Sequence, residues 1–243
     1  MTEKLRAALL IFMDAALRAG KGMRTEIIYE DKELLVCKKP AGLAVQTAVG
    51  FQEDMVSELK NEISRRTGEK APYLGVVHRL DQPVEGLLVF AKTRQAAAQL
   101  ASQLADGRLK KHYLAVLSAV PPKEQDTLID YLKKDARTNT SSVVLRTEKD
   151  AKRAQLSYKL LSVSKEGHAL AGIEIVTGRH HQIRVQMAHL GCPLVGDAKY
   201  GGTLMPEGGL ALCADRLSFF QPHTKKRLEF SIKPQNPVFG EFG

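Results

Sequence analysis

Two clusters in this sequence hold residue types able to do chemistry. The first is His78-Arg79-Leu80-Asp81, which stands just ahead of the apolar run Gly86-Leu87-Leu88-Val89-Phe90-Ala91. A carboxylate on a loop at a strand mouth is placed to meet a ligand. Spacing alone also fits a plainer arrangement, in which Asp81 closes a turn and Arg79 is solvated. The second cluster is Gly178-Arg179-His180-His181-Gln182-Ile183-Arg184, where a strand gives way to a helix. Such a junction gathers free backbone N–H groups and cations, a combination suited to phosphate. Two adjacent histidines raise the question of metal, but no third ligand has convincing spacing. Taken by itself, Arg184 reads equally well as a surface arginine.

The elements that must position these clusters follow from periodicity. Glu26–Tyr29 and Leu34–Lys38 read as two strands about a polar turn, ended by Lys39-Pro40-Ala41-Gly42. Met55, Val56, Leu59 and Ile63 recur at helical spacing between Asp54 and Gly68. Gly86–Ala91 is a buried strand, and Thr93 caps a helix through Leu104 that stops at Gly107. Tyr113–Val120, Gln155–Val163 and Ala169–Val176 read as strands, the middle one broken in its alternation at Leu160-Leu161. Gln182–Leu190 is a short helix, and strands near Leu210–Leu217 and Leu228–Ile232 close the chain. Val120–Glu124, Asp135–Ser142 and Tyr200–Gly209 read as loops. The economical interpretation is one α+β domain on a mixed, mainly antiparallel sheet from about Thr25 onward. Leu5, Leu9, Phe12, Met13 and Leu17 mark residues 1–24 as a helical extension.

Composition sets the outer bounds. The chain has 243 residues, 44 % of them apolar, and 36 Lys and Arg against 27 Asp and Glu give a net charge of +9. That charge favours a polyanionic partner without proving one. The longest apolar run, Ala7–Met13, is followed at once by Asp14 and is far short of a membrane span. The same interruption speaks against a secretory leader. Cys37, Cys192 and Cys213 have no CxxC spacing, so neither a disulfide framework nor a zinc site is expected. A reducing cytoplasm fits best.

Taken in order, the motifs resemble a known family. His78-Arg79-Leu80-Asp81, Gly86-Leu87-Leu88-Val89-Phe90-Ala91-Lys92, Lys111-His112-Tyr113, Gly178 to Val185 and Gly196-Asp197 look like the ordered motifs of RluA-class pseudouridine synthases. Lys39-Pro40-Ala41-Gly42 resembles that family's early motif, and the likeness runs over about residues 26–235. The resemblance implies a catalytic domain at 25–243 with a basic cleft across its sheet, and isomerisation of uridine to pseudouridine in ribosomal or transfer RNA. It also implies Asp81 as the essential carboxylate with Tyr113 and Arg184 beside it, and neither metal nor organic cofactor. The separate N-terminal RNA-binding module common in the family has no expected counterpart in the roughly 25 residues ahead of the domain. A monomer is the default expectation.

That reaction wants these residue types. A side chain must attack the sugar or remove one of its protons, and a carboxylate can do either. Burial alone would raise the Asp81 pKa, so a cation is required beside it, and Arg184 supplies a permanent one. Tyr113 offers a stacking face and a hydroxyl. The target base must leave its stack, at a cost of a few kcal/mol. Arg79 is expected to fill the vacated place, and Lys39, Arg179 and His180 to hold phosphate. His78, Lys111, Gln182 and Ile183 are further expected RNA-binding positions. Lys110-Lys111, Lys133-Lys134 and Lys225-Lys226-Arg227 would widen the basic footprint.

Four residues depart from the family pattern. Val84-Glu85 stands where Thr-Ser is common, His180 where a small hydroxylic residue is common, and Gln186 where histidine is common. A second carboxylate near Asp81 would raise its pKa, so Glu85 must point away or meet a cation such as Arg79. The departure also leaves open an RNA-binding or RNA-folding protein without turnover. A hydrolase using the His78 and Asp81 neighbourhood finds no GxSxG or metal-ligand pattern.

Overall fold

The computed structural model describes residues 25–47, 54–204 and 209–242; the expected helix in residues 1–24 lies outside them. Among the described residues eleven strands form one sheet in the order β1-β2-β4-β10-β5-β9-β8-β6-β7, with β11 paired to β10 and β3 to β4. The strands are β1 (Glu26–Glu30), β2 (Leu34–Lys39), β3 (Gly75–Val76), β4 (Glu85–Ala91), β5 (Lys110–Leu117), β6 (Gln125–Asp135), β7 (Thr140–Val144), β8 (Lys152–Val163), β9 (Ala169–Ile175), β10 (Leu212–Phe220) and β11 (Arg227–Ser231). The pairings are antiparallel except that of β4 with β10. The fold is therefore α+β on a mixed, mainly antiparallel sheet.

The continuous apolar run of β4 is buried at every position, as a strand covered on both faces should be. Gly86, at φ 140°, is required there: a Cβ would lie 2.5 Å from the backbone nitrogen of Ala214 on β10. One face of the sheet packs Leu35, Cys37, Leu88, Phe90, Tyr113 and Ile173 against α1 (Met55–Thr67) and α3 (Gln182–His189). The other packs Leu34, Val36, Leu87, Val89, Leu217 and Phe219 against α2 (Arg94–Ala105). Asp54 accepts from Ser57 N and Thr93 from Ala96 N, each capping its helix. α1 ends at Gly68 in the left-handed conformation.

One difference from the sequence reading matters for the site. Residues 125–144 form a hairpin, β6 with β7, where sequence patterning gave no strand at 125–135 and a loop at 135–142. On the inner face of β6 the packed residues Leu128 and Leu132 alternate with Asp126 and Asp130, which breaks the apolar period-2 signal. The break at Leu160-Leu161 is a bulge, where the β8 register against β9 shifts between Leu160 and Ser162.

Candidate active site

Asp81 sits on the loop before β4, and that loop is held from below. Lys39 Nζ donates to the carbonyls of Pro40 and Gln82 at 2.9 and 2.8 Å. Gly42 N donates to Gln82 O, Gln82 Nε2 donates back to Gly42 O, and Val84 N closes the turn onto Asp81 O. Lys39 is 0 % exposed, which corrects its expected role: it fastens the Pro40 turn to the Asp81 loop and does not reach phosphate in solvent.

Arg184 comes from α3, whose residues Gln182 to Met187 are all buried. Its Nε and Nη2 donate to Asp197 Oδ2 and Oδ1 at 2.7 Å each, a bidentate pair in which the Asp197 side chain is fully buried. The third nitrogen, Nη1, faces Asp81 Oδ2 at 3.6 Å. The guanidinium also lies 5.1 Å from the ring centroid of Tyr200. Asp197 is set by the turn at Gly196, φ 79°, where a Cβ would fall 1.8 Å from Gly209 O.

Burial pushes the Asp81 carboxyl above its ordinary value, Arg184 and Lys39 pull it down, and the Asp197 charge adds to the rise; the net shift is upward. Tyr113 projects from β5 into the same region; burial first, and the Asp81 charge second, raise its hydroxyl far above the ordinary range. Asp81, Tyr113 and Arg184, separate in sequence, thus share one site on the α1–α3 face of the sheet.

The remaining expected binding residues divide. Arg79 is exposed, with no hydrogen bond or ion pair among the described residues, and its charge reaches His180. Arg179 is exposed, its Nε bonded to Arg153 O at 2.8 Å. Lys111 is half-buried, and desolvation lowers its ammonium to about 8. Its Nζ fills the space beside Gly178, 3.8 Å from where a Cβ would stand.

Four others of the expected RNA-binding residues make contacts within the protein. His78 is buried, accepts from Val89 N at 3.4 Å, and is driven well below its ordinary value by burial and then by Lys111. Gln182 accepts from Thr177 Oγ1 and Arg179 N and donates to Gln155 O, so its amide is occupied within the protein. Ile183 packs in the core with Tyr113. His180 has both ring nitrogens engaged, Nδ1 with Ser141 Oγ at 2.9 Å and Nε2 with Asn139 Oδ1 at 3.1 Å. Burial, then Lys134, Lys199, Arg184 and Arg79, hold it at about 4, so it carries no charge for phosphate near neutrality.

The footprint also shifts. Lys134 and Lys199 act on both histidines and so border the site. Lys225 bonds Gln99 on α2 and the Pro222 carbonyl, and Arg227 pairs with Glu229, which puts that cluster beside the helix covering the other face. A groove of about 570 Å³ lined by His112, Lys159, Glu174 and Arg216 is likewise off the site, because neighbours along a strand point to opposite faces. Glu85 is buried and turned away: its carboxylate accepts from Gln235 N at 2.9 Å and Asn236 N at 3.1 Å.

Sequence reasoning assigned no role to His181, Tyr200 or Ser141, and quoted Asp197 only as part of a motif. His181 Nε2 lies 3.7 Å from Asp81 Oδ2, and its Nδ1 is 2.8 Å from Tyr200 Oη. Ser141 N donates to the same Tyr200 oxygen at 2.8 Å. The available signal was the Gly196-Asp197 pair and the second histidine of the motif; Tyr200 had none.

Fold and site define a class of protein in which one carboxylate is kept beside a fixed guanidinium on one face of a mixed sheet. Residues 33–189 match the family model described as RNA pseudouridylate synthase. The chain belongs to that family, as an RluA-class member, whose enzymes are isomerases that turn uridine in RNA into pseudouridine. It is 33 % identical over 226 residues to ribosomal large subunit pseudouridine synthase D of Zymomonas mobilis, spanning 87 % of this chain and 70 % of that protein. To the protein of the same title from Pseudomonas aeruginosa it is 36 % identical over 185 residues, 75 % of this chain and 55 % of that one. Among solved structures, human RNA pseudouridylate synthase domain containing 4 superposes with a TM-score of 0.72 at 24 % identity, over 98 % of this chain and 95 % of that one, a likeness of fold. No described helix is long and apolar enough to cross a membrane.

Proposed function

We propose that the domain at 25–243 isomerises a specific uridine in structured cytoplasmic RNA, ribosomal or transfer, after flipping it from its stack, and that Asp81 carries the chemistry. The C1′–N1 bond breaks, the freed uracil turns in place, C1′ bonds to C5, and C5 gives up its proton while N1, left without its sugar bond, gains one. Atoms are conserved, so no redox partner is needed. Asp81 starts the sequence by attacking the sugar or by taking one of its protons.

The observation that carries this reading is the placement of Arg184 Nη1 at 3.6 Å from Asp81 Oδ2. A carboxylate whose burial favours protonation needs a fixed cation to stay ionised. Tyr113 lines the same site, where its ring can stack on uracil and its hydroxyl, protonated at all working pH values, can serve only as a proton donor or be recharged by the departing C5 proton. Arg79, exposed and without a protein partner among the described residues, is available to occupy the gap left by the flipped base. Lys111, Arg179 and Lys134 supply backbone contacts.

The non-catalytic alternative drew on Val84 and Glu85. Glu85 is engaged by the backbone of Gln235 and Asn236, so it does not crowd Asp81. Release of tritium from RNA carrying 5-tritiated uridine tests the proposal. The native chain should release label and Asp81→Asn should not; equal release from both would remove Asp81 from the chemistry, and none from either would favour the binding protein.

A further inference from the structure

His181 opens α3 in the left-handed conformation, φ 54°, and its side chain makes no capping hydrogen bond. Its ring is instead inserted between Tyr200 and Asp81, stacked on His180 with centroids 3.8 Å apart. The hydrogen-bond arithmetic around Tyr200 then settles which nitrogen carries the proton. Tyr200 Oη accepts from Ser141 N–H and has one hydrogen of its own. If that hydrogen goes to His181 Nδ1, all three groups are satisfied and Nε2–H points at Asp81 Oδ2. If Nδ1 were the donor, Tyr200 Oη would accept twice, its hydrogen would lack this partner, and a nitrogen lone pair would face a carboxylate. The first arrangement is the consistent one.

Building on Asp81 as the working carboxylate, we propose that His181 is a positioning residue, locked as its neutral Nε2–H tautomer by Tyr200 and the Ser141 backbone, which offers Asp81 a second N–H donor beside Arg184. The distance of 3.7 Å is beyond a hydrogen bond in the free protein, and a small adjustment on binding RNA brings the donor within reach. The groups facing the pair come from every packed element: Lys39 from β2, Tyr113 from β5, Lys134 and Ser141 from the β6–β7 hairpin, His180 and Arg184 from the α3 end, and Asp197, Lys199 and Tyr200 from the following loop. Burial first, then Arg184, His180, Lys199 and Lys134, keep His181 neutral down to about 3, so it can remain a donor without ever being a cation at working pH. Seating of the hairpin thereby bears on the carboxylate, since Ser141 contributes the first link.

Two variants test this. Tyr200→Phe keeps the ring over Arg184 but removes the hydroxyl; His181→Asn tolerates the left-handed backbone but is too short to bridge Tyr200 and Asp81. Each should lower kcat about tenfold with KM within about twofold, and should move the acidic limb of the kcat–pH profile upward, because Asp81 loses a donor that favours its ionised form. Nitrogen-15 NMR of the imidazoles should show His181 as the Nε2–H tautomer in the native chain and a mixture in Tyr200→Phe. A native Nδ1–H tautomer overturns the proposal, and so does a loss of rate with an unmoved acidic limb, which would mark a purely structural role. If the native chain releases no tritium, the functional reading has failed, while the tautomer still decides the geometry around His181.

Discussion

Arg184 is bound to Asp197 through two nitrogens at 2.7 Å each, and this pair, not Asp81, is what fixes the guanidinium. Asp197 is fully buried on its side chain, so the arginine is oriented before any substrate arrives. Only Nη1 is left for Asp81. The guanidinium is therefore shared, held more tightly by Asp197 than by Asp81, the proposed catalytic carboxylate.

Replacing Asp197 by Asn should cost about 3–5 kcal/mol, the usual penalty for removing one partner of a buried ion pair. The freed guanidinium should then close on Asp81, and activity should fall even at temperatures where the fold survives. Urea titration and tritium release measure the two effects separately; loss of activity at unchanged stability would contradict the assignment of Asp197 as a structural anchor.

Asp81 should behave oppositely in stability. Its folded pKa lies above the ordinary value, so its contribution to stability is present below the unfolded pKa and is lost as pH rises through the folded one. At neutral pH the ionised carboxylate is thus a cost to folding. Asp81→Asn should melt higher than the native chain at pH 7, with the gap closing toward pH 4, while activity drops below about one-thousandth. Thermal melts across that range are the check.

Lys111 titrates near 8 because desolvation disfavours its ammonium. RNA affinity should therefore weaken between pH 7 and 9 as this cation discharges. In Lys111→Arg the guanidinium stays charged and the weakening should disappear. Equilibrium binding to an unmodified RNA at fixed salt distinguishes the two; the same pH dependence in both proteins would release Lys111 from phosphate binding.

Glu85 carries a different consequence. Its carboxylate takes N–H groups from Gln235 and Asn236, so Glu85→Ser should lower stability by about 2 kcal/mol through lost charge-assisted bonds. Turnover per folded molecule should be retained. Denaturation curves paired with tritium release would show it, and abolished turnover in a folded variant would make Glu85 functional.

Strand and helix types were largely legible because β4, α1 and α2 carry strong local signals: a continuous apolar run, or an apolar stripe between a capping side chain and a glycine or polar stop. The β6–β7 hairpin was not, since Asp126 and Asp130 interrupt the packed positions Leu128 and Leu132 of β6, and its seating comes from contacts of Ser141 and Asn139 with residues far along the chain.

By itself the sequence determined which side chains are available: a carboxylate at 81, a tyrosine at 113, an arginine at 184 and a surplus of positive charge. Only the tertiary structure decided which of them face one another. It buried Lys39, His78 and Gln182 as supports and moved Lys225 beside α2. It also brought His181, Tyr200 and Asp197 to the site. The physical reason is that residue type fixes chemistry locally, whereas burial, ion pairing and tautomer are set by neighbours that strand order and loop closure bring from distant parts of the chain.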